Sequence, residues 1–119
     1  MGDITKLEVW KISLGLAASV YQMTKRGELA KDYSLRDQIR RAAISIPSNI
    51  AEGLESGSDK QGVRYFYIAK GSIAELKTQI LLASQIDFLD EEDYKGILNE
   101  LERIGKMLYK LISYRRSKY

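Results

Sequence analysis

The chain has 119 residues, of which 45% are hydrophobic and 29% are charged, with a single proline. This composition is too apolar for a disordered chain and predicts one compact domain over residues 1–119. Cysteine and histidine are both absent, which excludes disulfides, thiolate metal sites and catalysis by an imidazole. Lysine and arginine exceed the acidic residues by three, a charge that fits a polyanionic partner without requiring one.

The first helical pattern lies near the N-terminus. Thr5 and Glu8 have the spacing of a capping box, which predicts a helix from near Lys6 to near Lys25. Apolar residues recur there every three or four positions in two neighbouring stripes. The first stripe is Val9, Ile12, Leu16, Val20 and Met23, and the second is Trp10, Leu14, Ala17 and Tyr21.

A second apolar repeat runs from Leu35 to Leu54, and either Asp32 or Ser34 can cap its start. Pro47 lies inside this repeat. Because a proline in a helix interior costs about 3 kcal/mol, the segment forms either one kinked helix or two helices. The apolar spacing continues without a shift across the proline, which favours one kinked helix.

Two further helices complete the pattern. Ser58 and Gln61 form a capping box for a third helix that ends near Ile86, and Asp90 can cap a fourth. Four amphipathic helices with short links predict an all-α, antiparallel up-down-up-down four-helix bundle. The apolar faces of the first and fourth helices are wider than a lone bundle needs, which fits self-association or a wide monomeric core equally well.

Two motifs carry a resemblance to a known family. They are DQIRRAAISIPSNIAEG at residues 37–53 and IAKGSIAEL at residues 68–76, and they accompany LEVW at residues 7–10 and a leucine-rich final helix. The chain thereby resembles the bacterial four-helix bundle proteins named after open reading frames in intervening sequences of 23S ribosomal RNA genes. The resemblance implies assembly as a ring-like homopentamer. It also implies relatedness to accessory proteins of diversity-generating retroelements, which bind nucleic acid and a reverse transcriptase.

The motif residues themselves predict a structural polar contact between the second and third helices. Arg40 or Arg41 is expected to pair with Glu75, and Asn49 to form a hydrogen bond with Glu52 across a helix or subunit contact. We interpret Asn49 and Glu52 as a buried polar latch, with a ligand site as the alternative, and all five residues as a structural polar motif. Small residues on both helices predict a close approach of the two backbones: Ala42, Ala43, Ser45, Gly71, Ser72 and Ala74.

Carboxylates do not form a convincing catalytic or metal-binding pattern. Di-iron sites in helical bundles use Glu-x-x-His pairs, and this chain has no histidine. The acidic cluster at residues 90–93 lies at the predicted start of the fourth helix, where negative charge favours the helix dipole. We therefore expect no enzymatic activity, no metal and no cofactor.

The positive charges gather at one end of the predicted bundle. In an up-down topology this end collects the starts of the first and third helices and the ends of the second and fourth, where cations outnumber acidic residues. The candidate nucleic-acid-binding residues there are Lys11, Arg64, Lys110, Arg115, Arg116 and Lys118. Tyr109, Tyr114 and Tyr119 lie among them and are suited to stacking on unpaired bases. The helix dipole and the usual place of tyrosine at bundle edges explain the same residues without a ligand.

These observations predict a non-enzymatic, cytoplasmic homo-oligomer that binds structured RNA or DNA without sequence specificity through repeated basic surfaces. The chain lacks a secretory signal pattern and a stretch of about 20 apolar residues, so no membrane partner is expected. The alternative is a protein-interaction scaffold that docks a partner enzyme such as a reverse transcriptase.

Overall fold

The computed structural model describes residues 7–119, and these residues form five helices and no strand. The predicted all-α class is confirmed. In chain order the helices are α1 (Glu8–Met23), α2 (Gly27–Lys31), α3 (Tyr33–Leu54), α4 (Asp59–Gln85) and α5 (Glu91–Arg116). The one-turn helix α2 was not predicted, because five residues are too few to show a helical period.

Helix α1 ends at its C-cap, Thr24, whose side chain forms a hydrogen bond with the last turn of the helix. The Oγ1 of Thr24 donates a hydrogen bond to the carbonyl oxygen of Val20 at 2.8 Å, and Gly27, with a φ of 61°, then leads the chain into α2. Leu7 occupies the N-cap position of α1 without a side-chain bond. The predicted capping box depends on Thr5, which lies outside the described residues.

Helix α3 is continuous through Pro47, so the prediction of one helix rather than two is confirmed. Asp32 caps its start, since its Oδ1 accepts a hydrogen bond from the amide of Leu35 at 3.1 Å. Pro47 itself is buried, and Ile46 and Ile50 near it are fully buried. Their burial offsets the hydrogen bond that the proline removes from the helix.

The remaining predicted caps are also present. Ser58 accepts a hydrogen bond from the amide of Gln61 at 3.2 Å, and Asp90 accepts one from the amide of Asp93 at 2.8 Å. Between these caps, α4 ends with Asp87 in the left-handed region at a φ of 61°. The amide of Phe88 donates to the carbonyl of Ala83 at 2.8 Å, which completes a Schellman motif.

The four long helices share one apolar core. Helix α3 packs against α1 and α4, and α5 packs against the same two helices. The predicted seams are largely buried. The largest fully enclosed side chains come from these four helices and, in one case, from α2: Val20, Leu29, Ile39, Ile46, Ile50, Leu54, Phe66, Leu76, Ile80, Leu101, Ile104 and Leu108. Among residues 7–119, no helix combines the length and the apolar character needed to cross a bilayer.

Helices α3 and α4 approach closely at Gly53 and Gly62 and not at Gly71, the glycine that the sequence predicted. Gly71 is exposed, and a Cβ there would meet no heavy atom within 4 Å. A Cβ on Gly53 would instead overlap the ring of Phe66 and lie 2.9 Å from the carbonyl oxygen of Gly62. The predicted proximity at the middle of the two helices does exist, because Ser72 donates a hydrogen bond to Ser45 at 2.8 Å.

Candidate nucleic-acid interface

We use the name basic end for residues 59–70 and 109–119, where α4 begins and α5 ends. The contact that holds these two segments together involves Arg115. Its Nη1 lies 3.2 Å from Oδ1 of Asp59, and its guanidinium carbon lies 5.6 Å from the centroid of Phe66. The Arg115 side chain is only 13% exposed. Arg115, a predicted nucleic-acid-binding residue, therefore holds α5 against α4 and presents little of its charge to solvent.

The next residue, Arg116, points to a different partner. Its Nη1 donates a hydrogen bond to the hydroxyl oxygen of Tyr67 at 3.2 Å, and Nζ of Lys70 lies 5.9 Å from the centroid of the Tyr67 ring. Tyr67 is 44% exposed. Neither Tyr67 nor Lys70 was a predicted site residue. The sequence did contain one signal for this pair: Tyr67 and Lys70 are three residues apart, a spacing that places them on one face of a helix.

The last residues of the chain add exposed cations and rings. Nζ of Lys118 lies 4.5 Å from the centroid of Tyr114. The Tyr114 side chain raises the pKa of Lys118, mainly through a hydrogen bond and to a smaller extent through electrostatic attraction. Lys110 is exposed, as is Tyr109 on the same helix. Within residues 7–119, no ion pair involves Lys110, Arg116 or Lys118.

Two predicted cations lie beside carboxylates. Arg64 is exposed and lines a cleft of about 340 Å³ together with Glu52 and Glu55. Lys11 lies 3.8 Å from Glu8 in an exposed pair. Neighbouring negative charge reduces the attraction of either cation for a phosphate.

We use the name mixed end for residues 24–41 and 87–95, where α1 ends and α3 and α5 begin. Cations here lie close to carboxylates: Arg26 is 3.6 Å from Asp93, and Arg36 is 3.0 Å from Asp37. Lys95 forms a hydrogen bond with Glu91. This bond and the attraction between the charges lower the pKa of Glu91 and raise that of Lys95.

The structural polar motif forms different contacts from those predicted. Arg40 donates a hydrogen bond to Oγ1 of Thr24 at 2.7 Å and lies over the ring of Tyr21, because its side chain extends from α3 towards α1. Arg41 and Glu75 are both exposed. Among the residues that the structure describes, neither arginine forms an ion pair with Glu75.

Asn49 forms its hydrogen bonds with Ser45 and not with Glu52. Its Nδ2 donates hydrogen bonds to the carbonyl oxygen and to the hydroxyl of Ser45, at 2.8 and 2.9 Å, one helical turn away. Glu52 is exposed. Because Ser72 of α4 binds the same Ser45 hydroxyl, a polar contact does join the two helices, through Asn49, Ser45 and Ser72. Asn49 thus retains a structural role, and Glu52 has none in this contact.

Comparisons with known proteins place the chain among relatives. The model of a family described as 23S rRNA-intervening sequence protein matches residues 5–110. A crystal structure of a protein of unknown function from the S23 ribosomal protein family, from Bacteroides thetaiotaomicron, matches with a TM-score of 0.80 and 25% identity. That match covers 87% of this chain and 97% of the other. The search of curated proteins found no match. The family match ends before Arg116 and Lys118.

Proposed function

Because this chain belongs to the 23S rRNA-intervening sequence protein family, we propose that it binds structured RNA or DNA without sequence specificity. In this proposal it is a non-enzymatic, homo-oligomeric protein, and the basic end is its binding surface. The observation that carries the proposal is the group of three cations, Lys110, Arg116 and Lys118, for which the described residues provide no ion-pair partner.

The proposal includes an up-down-up-down four-helix bundle, which brings the starts of α1 and α4 to the end where α3 and α5 finish. Contacts between helix ends support this topology. The start of α4 meets the end of α5 through Asp59 and Arg115. The residues just after α1 meet the start of α5 through Arg26 and Asp93.

Assembly into a ring, a homopentamer by the family resemblance, would repeat the basic end around an axis and strengthen its field. Exposed apolar side chains between α1 and α3 support self-association. Leu14 is 46% exposed and Ile44 is 42% exposed, and both line a groove of about 260 Å³ with Trp10 and Pro47. Light scattering tests this part, and a particle of 13.6 kDa would contradict it.

The chemistry of the basic end suits a phosphate backbone. Lysine and arginine side chains that neutralise phosphates release counterions, which gives affinity that falls with salt and carries no sequence information. The exposed rings of Tyr109 and Tyr114 add surfaces on which bases of any identity stack. Both interactions tolerate many sequences, in agreement with binding that is not sequence-specific.

A filter-binding titration at several salt concentrations tests the proposal. The informative variant replaces Lys110, Arg116 and Lys118 with alanine. A matched control replaces Lys25, Arg26 and Lys31 of the mixed end, which removes the same net charge. We expect the first variant to lose affinity. The slope of log affinity against log salt concentration should become shallower by about 0.9 for each phosphate contact removed. The control should bind like the unaltered chain. No measurable affinity at low salt, or equal losses in both variants, would refute the proposal.

A second candidate function is docking of a protein partner such as a reverse transcriptase. It is supported by exposed apolar side chains where α4 ends: Leu81 and Leu82 in its last turns are 38% and 48% exposed, and Ile86 at its C-cap is 43% exposed. Co-purification from the native host with and without nuclease separates the candidates. Association that survives nuclease favours protein docking, whereas association that nuclease abolishes favours the basic end.

A further inference from the structure

Tyr67, Lys70 and Arg116 form a cluster that bridges α4 and α5 at the basic end, and we propose that it is a docking site for an unpaired nucleotide. The base would stack on the Tyr67 ring, and Lys70 and Arg116 would contact the flanking phosphates. The inference rests on the proposed function and narrows its ligand to nucleic acid with unpaired bases.

Contacts with Arg116 and Lys70 position the Tyr67 ring where a base can stack on it. The hydrogen bond from Arg116 to the Tyr67 hydroxyl, at 3.2 Å, anchors the far end of the side chain. Lys70 follows one turn later on α4, with Nζ 5.9 Å from the ring centroid. Tyr67 as a whole residue nevertheless remains 44% exposed. An exposed ring held between two cations offers a base a flat surface and offers phosphates two positive charges.

Stacking separates unpaired from paired nucleic acid. Bases inside a duplex stack on one another, so a duplex offers Tyr67 only its backbone and its terminal base pairs. An unpaired base has a free face, and stacking on an aromatic side chain adds affinity whatever the base. Tyr67 should therefore matter for single strands, whereas cations such as Lys110 and Lys118 should matter for both ligands.

The mixed end provides a matched control in the same chain. Tyr33 is 66% exposed, and the guanidinium carbon of Arg36 lies 4.7 Å from its ring centroid. That arginine, however, is paired with Asp37 at 3.0 Å. The negative charge beside it opposes the approach of a phosphate. Tyr33 thus reproduces the ring and the cation without the surplus positive charge.

The test measures fluorescence anisotropy with two labelled probes, a thymidylate strand of about 20 nucleotides, long enough for a typical single-strand site, and a duplex of equal length. We expect Tyr67→Leu to weaken single-strand binding about tenfold, as the loss of one stacked base predicts, and to leave duplex binding unchanged. Tyr67→Phe keeps the ring but loses the hydrogen bond from Arg116, so it should weaken single-strand binding less than Tyr67→Leu does. Tyr33→Leu should change neither affinity.

Unchanged single-strand binding by Tyr67→Leu, or equal weakening of both probes, would overturn the inference. If the unaltered chain binds both probes with salt dependence while Tyr67→Leu has no effect, only this inference fails. If the unaltered chain binds neither probe, the proposed function fails with it. Circular dichroism of each variant establishes that the helices remain intact.

Discussion

The two ends of the molecule both combine cations with tyrosine rings, but they differ in the carboxylates beside those cations. Both have cations over tyrosine rings: Lys118 lies 4.5 Å from the centroid of Tyr114 at the basic end, and Arg36 lies 4.7 Å from that of Tyr33 at the mixed end. At the mixed end the arginine also pairs with Asp37 at 3.0 Å, whereas no described ion pair involves Lys118, on which the charge of Asp59 acts only as a weaker influence.

The difference lies in the carboxylates: each end contains seven lysines and arginines, but the basic end contains one acidic residue, Asp59, and the mixed end contains eight. At the basic end, one arginine serves the structure: Arg115 pairs with Asp59 and lies over Phe66. That contact joins the last turn of α5 to α4, and the cations that follow it, Arg116 and Lys118, are exposed. At the mixed end the charges mostly cancel one another, which leaves little field for a distant phosphate.

The largest effect we expect concerns the close helix approach that supports the basic end. Gly53→Ala should lower the free energy of unfolding by about 1 to 3 kcal/mol, because its Cβ would overlap the Phe66 ring. The control is Gly96→Ala, near the mixed end, where a Cβ meets nothing within 4 Å. It should raise stability by about 0.5 to 1 kcal/mol through helix propensity. Urea unfolding measures both, and shifts in the same direction would contradict this account of the ends.

A smaller effect should follow from removing the structural arginine. Arg115→Met should lower the free energy of unfolding by about 1 to 2 kcal/mol, between the values for exposed and buried ion pairs, because its pair with Asp59 is largely shielded. Arg26→Met breaks the pair with Asp93 at the mixed end, where the arginine side chain is 64% exposed. It should cost less than about 0.5 kcal/mol. Thermal unfolding checks the ranking, and a larger loss for Arg26→Met would reverse the assignment.

Backbone strain provides a third contrast, since the mixed end contains a left-handed residue that is not glycine. Asp87 has a φ of 61° in the Schellman motif that ends α4. Asp87→Gly should raise the free energy of unfolding by about 0.5 to 1 kcal/mol, because glycine adopts this conformation without steric cost. Asp87→Ala should lower it. Chemical denaturation measures both changes, and stabilisation by alanine would rule out the strain.

The smallest effect is a pKa change at the mixed end. The hydrogen bond and the charge of Lys95 lower the pKa of Glu91 from its ordinary 4.5, so the pair stabilises the fold above that pH and loses this contribution as pH falls through the lowered pKa. Lys95→Met should return the pKa of Glu91 towards 4.5, as followed by NMR titration of the carboxyl carbon. An unchanged titration would show that the pair does not persist in solution.

Helix positions could be predicted from sequence because local signals determine them. The caps at Ser58 and Asp90 depend on residues three positions away, and the buried stripes follow from the helical period. The apolar period continues across Pro47, and it correctly predicted one helix where the proline alone would have suggested two. The motifs at residues 37–53 and 68–76 correctly indicated the family, whose model matches residues 5–110.

Contacts between helices could not be predicted in the same way. Choosing Gly53 rather than Gly71 as the point of close approach requires the relative positions of two helices, which spacing within one helix does not give. Arg40 has a long side chain with several possible partners, and only the packed structure brings Thr24 within its reach. The position of Tyr67 could not be predicted, because its hydrogen bond with Arg116 joins residues 49 positions apart.

The central claim is that nucleic acid binds at the basic end, and lysine footprinting tests it most directly. The chain is acetylated with and without a saturating oligonucleotide, and mass spectrometry gives the modification rate of each lysine. We predict slower acetylation of Lys70, Lys110 and Lys118, with Lys25 and Lys31 of the mixed end unchanged in the same sample. Equal protection at the two ends, or protection confined to Lys25 and Lys31, would contradict the claim.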